Sequence, residues 1–377
     1  MIYLDHAAAT PVDPEVLAAM QPFFGVDFYN PSATYAPARA VRQQLEAARA
    51  SVAAVLGTRP SEIIFTAGGT ESDNLAIAGV LQQYPDANVV VSAIEHDAVL
   101  APAAQFNCRV ALPNEQGIIS PEAVLDQVDD NTVLVSVMYA NNEIGTIQPI
   151  RRIAQALDQV RAERRAKGND LPLYLHTDAC QAVNYLDLHV SRLGVDLMTL
   201  NGGKIYGPKQ SGVLYAGSHV RLQPIIRGGG QERNLRSGTE NVAAAVGFAK
   251  ALELAQAARH TEVKRLSELQ NQAFKLIAEK MPEAVVNGST KHRLPNNIHL
   301  TLRGQDNERL LVELELQGVL AAAGSACSAS SDEPSHVLRA LGCSDADAQS
   351  SLRLTMGRET SLEEVQKTIE ILANLTK

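Results

Sequence analysis

The sequence predicts an α/β protein: a large domain with a mixed, mostly parallel sheet flanked by helices, and a smaller α+β domain beside it. Three observations carry this expectation. Between residues 62 and 215, short apolar runs of strand length alternate with amphipathic stretches of helix length, the pattern of parallel strands covered on both faces. Beyond residue 259 the alternation gives way to helices with only a few strands between them. The chain has 377 residues, of which 45% are hydrophobic and 20% charged, enough to bury a large core and to form two domains. The expected large domain spans 15–258, and the small one combines 1–14 with 259–377.

Taken in order, Asp13-Pro14 supplies a cap and a first-turn proline for a helix through Val16, Leu17 and Met20. The Ala/Gln/Arg-rich stretch from Pro37 to Leu56 is amphipathic and is stopped by Gly57. Strands are expected at 62–66, 88–92, 108–112, 132–139, 173–177, 196–200 and 212–215. Helices are expected after Ser72, after Asp97 with a break at Pro102, and over 149–167. An Ala-rich helix runs from Glu240 to about Gln256, and a more charged helical stretch continues to Lys280, with the domain boundary near Arg259. Strands at 297–302 and 352–355 and helices at 308–316 and 362–375 complete the small domain.

Composition excludes several classes of function. A formal net charge of -9 and a pI near 5.5 argue against direct, non-specific nucleic-acid binding. Arg161, Arg164, Arg165 and Lys167 form one basic cluster, expected to be the solvated end of a helix. The N-terminus reaches Asp5 at once without an apolar signal core, and no apolar run is long enough to span a membrane. Cys108, Cys180, Cys327 and Cys343 show no CxxC pair and no metal-like spacing, so no metal is expected and a reducing cytoplasm suits them.

Five stretches carry candidate chemistry. In Asn201-Gly202-Gly203-Lys204-Ile205-Tyr206-Gly207, a lysine stands between glycine turns at the end of a buried strand. Held away from free water, such a lysine is suited to Schiff-base chemistry. In Phe65-Thr66-Ala67-Gly68-Gly69-Thr70, a strand passes through a glycine pair into a helix whose first amides would face a phosphate, a capped helix start being the alternative. Asp178 directly follows a buried strand and needs a cation, such as a protonated ring nitrogen, unless it caps a helix. Arg353 lies in a strand-like run, where a carboxylate or an internal ion pair would hold it. Finally, Cys327 sits among Ala323-Gly324-Ser325-Ala326 and Ser328-Ala329-Ser330-Ser331, small and polar residues expected to form a mobile loop. Of the four thiols it is the candidate nucleophile.

Together these pieces resemble the pyridoxal-phosphate (PLP) cysteine desulfurases of the class V aminotransferase superfamily. The resemblance runs from Tyr3 to the C-terminal helix through Tyr3-Leu4-Asp5, Gly69-Thr70-Glu71-Ser72-Asp73-Asn74, Glu95-His96, Asn141-Asn142-Glu143-Ile144-Gly145, Asp178 with Gln181, Lys204 to Lys209, Arg236-Ser237-Gly238-Thr239, Gly324-Ser325-Ala326-Cys327 and Arg353. It implies PLP fold type I, the long-loop kind of desulfurase, and a homodimer. It also implies that Lys204 carries PLP and later moves the substrate α-proton, Asp178 pairs with the pyridine nitrogen, Gln181 bonds the phenolic oxygen and His96 stacks on the ring. Gly69 and Thr70 would hold the phosphate with Thr239 of the second subunit, Asn142 and Arg353 the carboxylate of L-cysteine, and Cys327 would take the sulfur as a persulfide. A sulfur-acceptor protein serving iron–sulfur clusters or tRNA thiolation would receive it.

The sequence departs from that family where a histidine and a serine are usual on the phosphate side: Gly203 and Asn201 stand there, and Asn201 can still donate a hydrogen bond. Gln231 and Asp97 replace a common histidine and lysine, residues 168–172 lengthen a link, and the chain ends soon after its last helix. The alternatives are a selenocysteine lyase or another class V PLP aminotransferase, and a non-catalytic PLP-fold scaffold protein. A thiol at position 327 argues against the aminotransferase, which has no use for it.

Overall fold

Local chemistry fixes most element ends. In the computed structural model, which describes residues 1–324 and 333–377, the chain opens with strand β1 (Ile2–Tyr3) and helix α1 (Pro14–Met20). The Asp13 carboxylate caps α1 by accepting the Glu15 N–H at 2.9 Å. Helix α2 (Ala36–Leu56) ends at Gly57, where φ is +67°. There follow β2 (Ile63–Thr66), α3 (Gly69–Leu81), β3 (Asn88–Ser92), α4 (Asp97–Ala103), β4 (Asn107–Ala111), α5 (Pro121–Leu125), β5 (Thr132–Ser136), α6 (Ile150–Ala166), β6 (Tyr174–Asp178), α7 (Val190–Leu193), β7 (Leu197–Asn201) and β8 (Gly212–Ala216).

These strands form one seven-stranded sheet in the order β2-β8-β7-β6-β5-β3-β4. The pairs from β7 through β4 are parallel, and β8 runs antiparallel to both β7 and β2. Strand β2 therefore points the same way as the parallel set. Strands β2, β3, β5, β6 and β7 all deliver their carboxyl ends to one edge, the edge where open α/β sheets bind ligands. The strands β3, β5 and β6 are buried along their whole length, which is why their sequences read as unbroken apolar or small-polar runs.

Helix α8 (Val242–Lys280) then runs 39 residues. Its first half packs Phe248 and Leu252 into the core of the main sheet, and its second half packs Leu266, Ala273 and Ile277 into a second core. That core is completed by β9 (Val285–Val286), β10 (Asn297–Thr301), α9 (Asn307–Leu316), β11 (Val319–Leu320), β12 (Ser351–Thr355) and α12 (Leu362–Leu375), while the short helices α10 (His336–Ala340) and α11 (Asp345–Gln349) return Val337, Leu338 and Ala348 to the first core. Strands β12, β10 and β9 form an antiparallel sheet, and β1 pairs in parallel with β11, so Ile2 and Leu4 belong to the second core.

Two expectations need correction. The helical stretches on either side of Arg259 are one continuous helix; the shift in composition there marks a change of packing partner, with no glycine or proline to break the turn. The basic cluster of α6 is also not all solvated. Arg164 is only 2% exposed and donates to the carbonyls of Thr132 and Asp129, while Arg161 donates to the Leu173 carbonyl at 2.7 Å and pairs with Asp196 at 2.6 Å. Carbonyls at the starts of β5 and β6 that would otherwise lack donors draw these guanidinium groups inward.

One buried ion pair ties the segment after β8 to the main sheet. Both guanidinium ends of Arg49 on α2 meet the Glu232 carboxylate, at 2.7 and 2.8 Å, and Glu232 also accepts the Phe65 N–H at 3.0 Å. Both side chains are 3% exposed. Glu232→Gln is expected to lower stability by about 3–5 kcal/mol, because it leaves the buried Arg49 charge only the exposed Glu46 carboxylate, 3.2 Å away, as counter-charge. The joint change Arg49→Met with Glu232→Leu should recover most of that loss, both effects being read from urea unfolding.

Candidate active site

The strand ends at the common edge surround a cavity lined by Gly69, Thr70, His96, Asn142, Asp178, Gln181, Asn201, Lys204 and Arg353. All nine were singled out in the sequence. Each arrives there for a local reason.

Strand β7 ends at Asn201, whose side-chain oxygen accepts the Gly203 N–H at 2.9 Å and closes a tight turn over Gly202–Lys204. Gly202 is required in it: a Cβ would lie 2.1 Å from the Ser211 hydroxyl oxygen. The turn leaves Lys204 half-buried, with Nζ donating to the Ala8 carbonyl at 2.5 Å and its own carbonyl held by Asn184 at 2.9 Å.

Helix α3 begins at Gly69 behind an N-cap, Gly68, that has no side chain to satisfy the first amides. A Cβ on Gly69 would come within 2.9 Å of Cys180 Sγ, so glycine lets the helix start pack directly on the end of β6. An adjoining opening is lined by Gly68, Gly69, Thr70, Asn201, Gly203 and Lys209. Lys209 donates to the Thr10 carbonyl at 3.0 Å. The uncapped amides and this lysine make the opening suited to an anion.

Asp178 is the last residue of β6 and is 7% exposed; its Oδ1 accepts the Cys180 N–H at 2.8 Å. Gln181 donates to the Ala7 carbonyl at 3.0 Å. His96 caps α4, Nδ1 accepting the Ala98 N–H at 3.0 Å, which assigns the proton of a neutral ring to Nε2. Arg353, on β12, is 1% exposed; it donates to the Asn142 carbonyl at 2.9 Å and pairs with Asp5 at 2.7 Å, while its Nε has no hydrogen-bond partner among the described residues. The internal ion pair and the cavity position thus hold together. Thr239 is exposed and is not among the residues lining this cavity. Cys327 lies outside the described residues.

Sequence reasoning assigned no role to a buried polar layer beneath the cavity. His176, two residues before Asp178 and on the same face of β6, is flanked by Ser136 Oγ at 2.8 Å and Thr199 Oγ1 at 3.1 Å, and Asp73 Oδ1 lies 3.7 Å from it. Burial pushes the His176 imidazole down to about 3, so the ring is neutral. Burial raises the Asp73 carboxyl, and the neighbouring Asp178 raises it further. Glu95, wholly buried, accepts the Met138 N–H at 2.7 Å and the Ser92 hydroxyl, yet burial still pushes its carboxyl up to about 8. The available signal was spacing: Asp73 falls four residues after Gly69 on one helix face, and His176 two before Asp178 on one strand face. Among the described residues no group of His, Cys, Asp and Glu is arranged to hold a metal.

Residues 2–368 match the aminotransferase class-V family. The chain is 39% identical over 381 residues to cysteine desulfurase IscS of Dictyoglomus turgidum, covering 99% of this chain and 94% of the relative. It is 39% identical over 383 residues to cysteine desulfurase IscS of Methanosarcina thermophila, covering 100% and 92%. Among solved structures it superposes on a NifS-like protein with TM-score 0.89 at 29% identity, covering 99% and 98% of the two chains. A NifS-like protein of Rickettsia africae gives TM-score 0.88 at 29% identity, covering 100% and 99%.

The Glu95 carboxyl has a consequence for stability. An acid whose folded pKa is raised binds its proton more tightly when folded, so its contribution is lost as pH rises from the unfolded value near 4.5 to about 8. Glu95→Gln should therefore remain more stable than the parent at the alkaline end of that window by a few kcal/mol. The difference should vanish toward the acid end in urea unfolding measured across it.

Proposed function

The chain belongs to the class-V aminotransferase family and is a PLP-dependent cysteine desulfurase of fold type I, and from that premise we propose how its residues divide the work. The cavity's own chemistry suits the cofactor. Uncapped amides at the start of α3 match a phosphate, a buried aspartate matches a protonated ring nitrogen, and a lysine amine matches a carbonyl, all on one wall-to-wall cavity. The observation that carries this reading is that three separate elements, α3, β6 and the turn after β7, bring those three groups to one place.

In this reading Gly69, Thr70 and Asn201 hold the phosphate, Asp178 the ring nitrogen and Gln181 the phenolic oxygen, while His96 stacks on the ring and assists proton transfer. Lys204 carries the cofactor covalently. When bound, PLP supplies an electron sink for the carbanion formed at the substrate's α-carbon. Lys204 moves the α-proton; its bond to the Ala8 carbonyl keeps Nζ at the cavity wall for that task. Arg353 and Asn142 hold the carboxylate of L-cysteine. Arg353 brings an unpartnered Nε, and its charge is partly balanced by Asp5, so carboxylate binding adds to an existing pair.

Cys327 receives the sulfur as a thiolate. The Cβ–S bond of the substrate breaks, a hydrogen replaces sulfur at Cβ, and an S–S bond forms at Cys327. L-cysteine leaves as L-alanine, a persulfide remains, and no external oxidant is consumed. Both ends of the segment bearing Cys327 are fixed beside the cavity. Ala322 exchanges backbone hydrogen bonds with Arg353 at 3.2 and 2.7 Å, the Ser335 hydroxyl donates to Glu143 at 2.5 Å, and His336 Nε2 meets the Glu95 carbonyl at 2.9 Å.

The persulfide calls for a second thiol, so we assign a sulfur-acceptor protein as partner, an iron–sulfur scaffold or a tRNA-thiolation protein. A homodimer is supported by Thr239, exposed and outside its own chain's cavity, and by exposed Phe24, Val26 and Phe28. Among the described residues no helix is long and apolar enough to cross a membrane, and Cys108, Cys180 and Cys343 are free thiols, which fits a reducing cytoplasm.

Lys204→Ala should lose the covalent attachment of PLP that borohydride reduction fixes on the parent protein, and alanine formation should fall by about a hundredfold or more. Cofactor attachment equal to the parent would refute the lysine assignment. Cys327→Ala should keep its bound, coloured cofactor yet form no protein persulfide from L-cysteine; persulfide at the parental level by mass spectrometry would move the nucleophile elsewhere.

A further inference from the structure

The mechanism above uses Asp178 but leaves Asp73 and its neighbours without a task. Asp73 is 1% exposed and lines the cavity, one turn into α3 and on the helix face that presents Gly69 and Thr70. Three elements pack against it: β6 with His176 and Asp178, β7 with Thr199, and the turn after β3 with Glu95. Its Oδ1 has no hydrogen-bond partner among the described residues.

The donors available to Asp73 can be counted. Neutral His176 has one N–H and one acceptor nitrogen. With the Ser136 hydroxyl donating to Nδ1, Nε2–H donates to Thr199 Oγ1, and the Thr199 hydroxyl is free to donate to Asp73. With the ring reversed, the Thr199 proton is spent on His176. Either way one hydroxyl at most serves a carboxyl group that is fully buried beside a second carboxylate. An anion in that position is poorly solvated and repelled by Asp178, whereas a neutral carboxylic acid carries neither of those costs.

We propose that Asp73 is held as a neutral carboxylic acid in the PLP-loaded enzyme, a positioning residue that leaves Asp178 as the one negative charge facing the ring nitrogen. Two adjacent carboxylates would share their protons, and the charge at Asp178 would be diluted. The proposal rests on Asp178 being the partner of the ring nitrogen. Burial and the Asp178 charge both push the Asp73 carboxyl upward, in agreement with the geometry. Glu95 is a second buried acid nearby, so a test must separate the two.

The test is difference infrared spectroscopy of the PLP-loaded enzyme near neutral pH, reading the carbonyl band of protonated carboxylic acids, with Glu95→Gln recorded to identify the Glu95 contribution. Asp73→Asn should remove one further band while leaving the pH midpoint of the cofactor's visible absorption in place and the PLP dissociation constant within about twofold, since an amide mimics the neutral acid. Asp73→Ala, which leaves the Thr199 hydroxyl unpaired, should weaken PLP about fivefold or more. The proposal is overturned if Asp73→Asn removes no band, if it moves the midpoint by about one pH unit as loss of a neighbouring anion would, or if the alanine and asparagine variants both bind PLP like the parent. Should Asp73→Asn fail to fold, Thr199→Val decides: the acid band must persist at higher frequency, and its disappearance overturns the assignment. Asp178→Asn should weaken PLP by more than about tenfold. If it does not, the reading of Asp178 fails, while the infrared band still reports on Asp73.

Discussion

Parallel pairing of the central strands is the constraint on which the site depends. Because β6 and β7 run side by side with Asp178 opposite Thr199, the residues that follow them emerge at one edge within reach of each other. The antiparallel β8 returns the chain to β2, and β2 then delivers the start of α3 to the same edge. A one-residue slip of β6 would turn Asp178 and His176 to the opposite face of the sheet. The buried strands β5 and β7 on either side make that slip expensive, so burial in the core holds the register of the chemistry.

The second core brings Arg353 to the cavity wall, and much of its construction serves that side chain. Strand β12 sits between β10 and the N-terminal segment, where Asp5 bridges to Thr355 and its carboxylate meets the guanidinium. Ala322 pairs with Arg353 on its other side. The same residue is thus a structural ion-pair member, a backbone partner of the segment leading to Cys327, and part of the cavity wall. Removing its charge would disturb all three, so its effects on binding and on stability are coupled.

Below the cavity the protein tolerates an arrangement that a plain core would avoid. Asp73, Glu95 and Asp178 lie in one buried region with a neutral His176, and two of these acids have oxygens without partners among the described residues. Such a cluster stays folded only if protons neutralise most of it, or if a cationic ligand joins it. A cofactor nitrogen bearing a proton answers the one remaining charge.

The sequence by itself determined the alternation of elements, the lysine and aspartate that follow buried strands, the glycine-led start of α3 and the arginine inside a strand, because these features are local and periodic. It also supported the family assignment through many short matches in order. It left the continuity of α8 undecided, since a change of packing partner along a helix looks like a boundary when only composition is visible. It misread Arg161 and Arg164 as solvated, because nothing local reveals which carbonyls need a donor. The pairing of Asp5 with Arg353 across 348 positions, and the meeting of Asp73, His176 and Thr199 from three elements, were decided only by tertiary structure. Burial and electrostatic contact between distant segments have no periodic trace in the chain.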